Sequence, residues 1–282
     1  MDHSSIISKY FKCPVCNCDM QVTEDGKSAK CSGENPKNKR HSFDFSSDGY
    51  LSFGVVGGDS KEAVAARKSF LRSTGNYEPA AIAVCEAVKK HVPDCKLLVD
   101  AGCGEGYYTS MLSDVSDNTI GFDLSKFACS VGAKQAKKDG KSGLLFATAS
   151  VFELPIADGS ADAVTNIFAP CAEEEYSRIL KDGGTLFVVG AGRDHLMGLK
   201  KAVYDNVYEN GQRADLPKGM KHIDRIVASY EVTVYGREQI MALFSMTPYY
   251  WRTSEGDREK LEALESLQTE IEFEINVYKK GQ

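Results

Sequence analysis

Residues 97–112, LLVDAGCGEGYYTSML, set an acid, Asp100, just before three alternating glycines, Gly102, Gly104 and Gly106. Glycines at this spacing let the backbone come close to a ligand without Cβ clashes. In a dinucleotide-binding loop a pyrophosphate would rest on the start of the following helix, and a carboxylate beside it would be repelled. S-adenosylmethionine removes the conflict, because it carries a sulfonium and an α-ammonium group and no phosphate. A second acid, Asp123 in IGFDLS, lies 21 positions after Gly102, where a strand-end carboxylate can accept both ribose hydroxyl hydrogens. Asp100, Gly102, Gly104, Asp123 and Leu124 are the candidate cofactor residues of this stretch.

A second cluster sits near the start of the chain. Cys13-Pro-Val-Cys16 is a knuckle whose two thiolates, one turn apart, can bind one face of a tetrahedral zinc ion. Cys31 follows after fourteen intervening residues, beyond a polar turn at Glu24-Asp25-Gly26. The fourth ligand is expected to be another Cys or a His, and His41, just before SFDF, is the best placed. Cys18 is too close to Cys16 to share the ion easily and reads as a spare thiol. A site closed by four protein ligands is structural rather than catalytic. The loop between Cys31 and His41 carries Lys37, Lys39 and Arg40, which suits a surface facing phosphates.

These residues need a scaffold. From about residue 78 helical and strand patterns alternate. PAAIAVCEAVKKH, YYTSMLSDV, SVGAKQAKK and AEEEYSRIL read as helices. KLLVDAG, NTIGFDLS, GLLFATAS, ADAVTNIFA and GGTLFVVGAG read as strands. Repeated β-α units of this length imply a mostly parallel sheet covered on both faces. In such α/β sheets the ligand lies beyond the carboxyl ends of the strands, where the glycine loop and Asp123 are expected. The tail departs from this rhythm: EVTVYG, a helix at REQIMALFSM, then IEFEINVYKK, whose alternation predicts a strand at the sheet edge, possibly antiparallel. Upstream, FGVVGGDS (53–60) reads as a linker and KEAVAARKSFLRS (61–73) as a helix stopped by Gly75. The expected division is 1–50 for a zinc-binding module, 51–76 for linker and helix, and 77–282 for the α/β domain.

The 282 residues carry a net charge of −6, which does not advertise nucleic-acid binding. The first 45 residues hold seven Lys/Arg against six Asp/Glu, so the excess of acid lies in the remainder and the small module is the better candidate to meet RNA. Basic runs at Arg67/Lys68/Arg72 and Lys134/Lys137/Lys138/Lys141 read as solvated faces. With no apolar signal core at the N-terminus and no run of membrane-spanning length, the chain reads as a soluble cytoplasmic protein. Cysteines crowded at the start and otherwise scattered through apolar segments suit a metal site and core thiols in a reducing compartment.

The glycine loop, the acid of the second strand, LPIADGSADAV and LKDGGTLFVV, in this order, resemble the class I S-adenosylmethionine-dependent methyltransferases. That resemblance implies an α/β fold with a Rossmann-like class I methyltransferase sheet. Taken with CPVC, HSFDFSSDGYLSF, GDSKEAVAARKSFLRSTGNYEP, NIFAPC, RDHLMGLK and MTPYYW, the whole chain is similar to the 23S rRNA (guanine-N1)-methyltransferases. The resemblance implies S-adenosylmethionine and Zn2+ as cofactors, 23S rRNA as partner, methylation of a guanine N1 in a hairpin, and a homodimer. It implies Cys13, Cys16, Cys31 and His41 as zinc ligands and adds Tyr77, Glu105 and His195 to the cofactor residues. The chain departs from the family in the stretch SGENPKNKR, which lengthens the gap between Cys31 and His41. It also lacks the polar-Pro-Pro-aromatic signature of amino-methylating relatives, having Asn166-Ile167-Phe168-Ala169-Pro170 there. Asn166 and Phe168 are therefore candidates for orienting or stacking the target base. Two rival functions stand beside this one: a small-molecule methyltransferase, and a non-catalytic rRNA-binding factor.

Overall fold

The computed structural model describes residues 3–35, 37–211, 217 and 219–281. The chain opens with a short helix, α1 (Ser4–Tyr10), followed by a small antiparallel sheet of β1 (Met20–Val22), β2 (Ser28–Cys31) and β3 (Ser42–Asp44). A two-residue strand, β4 (Leu51–Ser52), then joins the main sheet alongside the strand over 144–148. Helix α2 (Lys61–Thr74) starts at Ser60, whose hydroxyl accepts from Ala63 N–H, and stops at Gly75 in the left-handed region (φ +68°), as its residues predict.

The repeating core follows in chain order: α3 (Glu78–His91), β5 (Leu97–Ala101), α4 (Tyr107–Leu112), β6 (Asn118–Asp123), α5 (Lys126–Lys138), β7 (Leu144–Thr148), β8 (Ala161–Ile167), α6 (Glu173–Ile179) and β9 (Leu180–Ala191). β5 and β7 are buried along their whole lengths, which is why they read as unbroken apolar runs. The chain ends with α7 (Met197–Val203), β10 (Met220–Tyr235), α8 (Arg237–Ser245), α9 (Glu255–Glu262) and β11 (Ser266–Lys280).

Among the described residues the main sheet has the order β10-β11-β9-β8-β5-β6-β7-β4. It is parallel from β9 to β4, with β11 and β10 antiparallel at one side. The order reverses between β5 and β8, and an open α/β sheet forms its ligand crevice at such a point, outside the carboxyl ends of the strands.

The tail differs from expectation in two respects. β11 is antiparallel but lies inside the sheet, between β9 and β10, and β10 is the edge. β10 also begins eleven residues before EVTVYG, because its alternating half-buried positions Ile226, Ala228, Tyr230 and Val232 pair along β11 and pack on the core. A long hairpin partner rather than local propensity sets that length. In the run LMGLKKAVYDNVY the helix spans only Met197–Val203, and Tyr204 is already extended.

Apolar positions alternate to the two faces of the sheet. Leu98, Ala163, Phe187 and Val189 pack with α3, α7 and α8. Leu97, Val99, Phe122 and Val188 pack with α6 and with the N-terminal residues Ile6, Ile7, Tyr10 and Phe11. The metal module therefore shares a core with the large sheet: Phe11 bridges to Ile156 and stacks near Phe53 and Phe122. No helix among the described residues is long and apolar enough to cross a membrane.

Candidate functional site

β5 runs into Gly102, Gly104 and Gly106, all left-handed, at φ +83°, +54° and +79°. Gly102 N–H and Cys103 N–H both donate to the Phe122 carbonyl, at 2.8 and 2.9 Å, so the turn is fastened to β6. Asp123, at the end of β6, accepts from Gly104 N–H (2.9 Å) on one oxygen and from Ser125 N–H (2.7 Å) on the other. A carboxylate offers about four lone-pair sites, so acceptor capacity is left for ribose hydroxyls. Leu124 follows, partly exposed.

Asp100 lies elsewhere than the spacing suggested. It is 1% exposed, and its two oxygens accept from Thr109 Oγ1 (2.7 Å) and Thr165 Oγ1 (2.8 Å). It braces the loop from the core side, joining α4 and β8 to β5, instead of presenting its carboxylate to a cation. Burial pushes its pKa up to about 6, against the pull of the two hydroxyl hydrogen bonds. The sign follows: an acid harder to ionise when folded loses stability as pH rises from its unfolded value toward about 6, and nothing further above that. The stability advantage of wild type over Asp100→Asn is expected to shrink by about 2 kcal/mol between pH 4 and pH 6.5. Urea unfolding at a series of pH values checks this, and a pH-independent difference would contradict the placement.

Glu105 is 2% exposed, and burial raises its pKa against the charge of Arg67, whose Nε lies 3.6 Å from Oε2. Arg67 also pairs with Asp59, and its Nη1 is 3.2 Å from where a Cβ on Gly104 would sit. The linker is fixed to the same place. Ser125 Oγ donates to the Asp59 carbonyl at 2.7 Å, and Gly58 (φ +76°) abuts the Ser125 backbone so closely that a Cβ would lie 2.5 Å from Ser125 N. The basic run at Arg67 and Arg72 is thus no solvated face. Lys134 and Lys137 are exposed, as expected of that run, and they also reach Asp48 and the Ser47 carbonyl of the N-terminal segment. Nothing in the local pattern distinguished these cations, because their partners are distant in sequence.

Tyr77 and His195 meet, although 118 positions apart. His195 Nδ1 accepts from Glu272 N–H at 3.1 Å. The ring proton is therefore on Nε2, which faces Tyr77 Oη at 3.5 Å. Burial, helped by the charge of Lys200, lowers the His195 pKa to about 4, so the ring is neutral near pH 7 with no free lone pair. Phe168 stacks on it, with centroids 5.7 Å apart and planes at 29°, and meets Phe273 edge-on at 4.8 Å. Phe168 is 48% exposed and holds φ +52°, a conformation that costs a non-glycine residue roughly 1–2 kcal/mol. Asn166 is 1% exposed, and its amide donates to the Pro170 carbonyl (2.9 Å) and Tyr176 Oη (3.0 Å). Of the two base-contact candidates, Phe168 reaches the surface and Asn166 braces the turn beneath it. That turn touches the glycine loop directly: a Cβ on Gly102 would lie 2.4 Å from Ala169 Cβ.

The second site assembles as its residues suggest. The ligand atoms of Cys13, Cys16, Cys31 and His41 lie within 4.8 Å of one another. His41 Nδ1 is 3.6 Å from Cys13 Sγ and 3.7 Å from Cys31 Sγ, and Cys16 and Cys31 sulfurs are 3.8 Å apart. Zn–S bonds of about 2.3 Å and Zn–N bonds of about 2.0–2.1 Å in a tetrahedron separate sulfurs by about 3.8 Å and sulfur from nitrogen by about 3.6 Å. The four residues fit zinc. The inserted loop does not displace His41, because Cys31 N–H donates to the His41 carbonyl at 3.0 Å and Asn35 ties back to the Lys39 carbonyl at 2.8 Å. Lys37, Lys39 and Arg40 remain exposed.

The family described as methyltransferase domain matches residues 99–188. The Bacillus subtilis (strain 168) protein YxjB, provisionally named as a 23S rRNA (guanine-N1)-methyltransferase, is 28% identical over 279 residues, covering 94% of this chain and 95% of its own. The 23S rRNA (guanine(748)-N(1))-methyltransferase of Streptomyces fradiae is 30% identical over 208 residues, covering 70% of this chain and 69% of its own. Among solved structures, the YcgJ protein from Bacillus subtilis aligns over 72% of this chain and 99% of its own, with a TM-score of 0.49 and 15% identity.

Proposed function

Since the chain belongs to the family of 23S rRNA (guanine-N1)-methyltransferases, we propose that it methylates N1 of a guanine in 23S rRNA, using the crevice between β5 and β8. S-adenosylmethionine supplies, when bound, a methyl group on a sulfonium whose departure leaves a neutral thioether. The glycine loop, Glu105, Asp123 and Leu124 would hold it, with Tyr77 and His195 closing the far side. Because the leaving group is already good, the protein's task is alignment and exclusion of water.

The observation that carries this reading is Phe168. A strained, half-exposed aromatic on a turn that touches the cofactor loop suits a base taken out of its helix, since the Watson–Crick edge is hidden in paired RNA. Neutral His195 supports the Phe168 ring from behind. With Nδ1 bonded to Glu272 and Nε2 protonated, it is not the acceptor of the guanine N1 proton. Base–aromatic stacking is worth about 1–3 kcal/mol per base, so Phe168→Ala is expected to lower single-turnover methylation roughly 5- to 150-fold while cofactor affinity is kept. A variant that transfers methyl at the wild-type rate would remove Phe168 from this role.

The function itself is tested by primer extension on 23S rRNA incubated with the protein and S-adenosylmethionine. A methyl on guanine N1 blocks pairing and stops reverse transcriptase. Turnover on a small acceptor with no rRNA present would favour the small-molecule reading instead, and cofactor binding without turnover would favour a non-catalytic factor.

In this reading the zinc module with Lys37, Lys39 and Arg40 contacts the rRNA, and the protein acts in the cytoplasm. We further infer a homodimer. Among the described residues no strand pairs with the outer edge of β10, where Ile223, Val227 and Tyr235 are exposed, and long open edges invite pairing. Light scattering is expected to give the mass of two chains.

A further inference from the structure

Beyond α7 the chain doubles back on the loop that carries His195. Asn210 N–H donates to the Arg193 carbonyl at 3.0 Å, and its side-chain amide donates to the Gly192 and His195 carbonyls at 3.0 and 2.9 Å. Lys200, in the last turn of α7, clamps the same segment from the other side. Its Nζ donates to the Tyr208 carbonyl at 3.1 Å and to Asn210 Oδ1 at 2.6 Å. Glu209, between these two residues, pairs with Arg193. The backbone over 208–210 is thus fastened both to the His195 loop and to α7.

Tyr208 sits in that clamp with its ring outside, 80% exposed. A lone exposed aromatic on a free surface needs no explanation. This one is held by its backbone, two residues from a direct bond to His195, the residue on which Phe168 stacks. A tyrosine has only two χ angles to fix on contact, and an anchored backbone lowers the ordering cost further. Its ring face is a platform on which any base can stack. The local charge also suits RNA. An ammonium carries three donors, of which Lys200 uses two on the Tyr208 and Asn210 oxygens, and no acid among the described residues pairs with it. The acid within the segment, Glu209, is neutralised by Arg193, so a phosphate beside the ring meets a cation.

We propose that Tyr208 is a second base platform of the crevice, stacking on an unpaired nucleotide that flanks the target guanine. The assignment rests on the rRNA-methylation reading and extends it from one base to two. Taking a base out of its stack costs the interactions of that base with its neighbours. Phe168 replaces them for the guanine, and Tyr208 replaces them for the nucleotide left beside it.

The test uses the full chain as wild type, Tyr208→Ala and Tyr208→Phe, with a 23S rRNA transcript on which primer extension reads the methyl stop. Single-turnover methylation over a range of rRNA concentrations gives the half-saturating concentration. Tyr208→Ala is expected to raise it about 5- to 150-fold, the loss of one base–aromatic stack. Tyr208→Phe keeps the ring and is expected to recover most of that loss. Because the ring is exposed, Tyr208→Ala is expected to melt with wild type and to bind S-adenosylmethionine equally well. A photoreactive benzophenone side chain installed at position 208 is expected to cross-link beside the methylated guanine, seen as a second stop in primer extension. Wild-type rRNA dependence in Tyr208→Ala, an equal loss in both variants, a lowered melting temperature accompanying the loss, or a cross-link remote from the target overturns the assignment. A wild type that leaves no stop on the rRNA overturns the methylation reading itself, and the assignment with it.

Discussion

Gly102→Ala is expected to reduce methylation of 23S rRNA by at least about 100-fold. Two effects combine. Gly102 holds φ +83°, where a side chain is strained, and the new Cβ would lie 2.4 Å from Ala169 Cβ. Ala169 cannot swing away, because it belongs to the turn that Asn166 and Tyr176 tie through the Pro170 carbonyl. The loop and the turn must therefore part. That separates the cofactor side of the crevice from Phe168, and displacements near 1 Å between reacting groups cost about 10²-fold in rate. Gly140→Ala is the control. Gly140 has a similar φ of +69° but open space where the Cβ would go, so it carries the backbone strain without the collision. Single-turnover methylation and thermal melts of both variants separate the contributions. Equal activities in the two would show that contact between loop and turn has no catalytic consequence.

The second large effect is expected at the metal. Cys13→Ser removes one of four ligands whose donor atoms lie within 4.8 Å of one another, and metal binding free energy in such modules is folding free energy. Helix α1 and Phe11, immediately upstream, are packed into the core of the main sheet, so disorder in the module exposes part of that core as well. Purified wild type is expected to contain one zinc per chain by elemental analysis and the variant none. The variant is also expected to melt at least several degrees lower and to methylate rRNA at least about 10-fold more slowly. Cofactor affinity should change little, because Gly104, Asp123 and Glu105 lie on other elements. Wild type without zinc, together with a fully active Cys13→Ser, would defeat the structural-zinc account.

Much of this site was legible before any fold was known. Glycines at alternating positions, a strand-end acid and a C-x2-C knuckle are short-range patterns, and the chemistry that needs them constrains neighbours along the chain. Helix α2 with its stop at Gly75, and the buried strands β5 and β7, were equally plain. Helix α1 was not. Seven residues without a side-chain cap have little intrinsic helicity, and it is the burial of Ile6, Ile7 and Tyr10 that holds them.

What the amino-acid order determined by itself was therefore the inventory: which residues can meet a cofactor, which can ligate zinc, and that a parallel sheet presents the first set at its carboxyl edge. Direction and pairing were decided only by the tertiary structure. Asp100 was identifiable as an acid beside the loop, but Thr165, 65 positions away, turns it into a brace. Arg67 looked like a surface charge, and Asp59 and Glu105 make it part of the loop. His195 became a neutral ring with a defined tautomer only because β11 brings Glu272 N–H to its Nδ1. The physical reason is common to all of these. A side chain's type sets what it can donate, accept or stack on, whereas its protonation, orientation and partner depend on groups that folding brings together from distant parts of the chain.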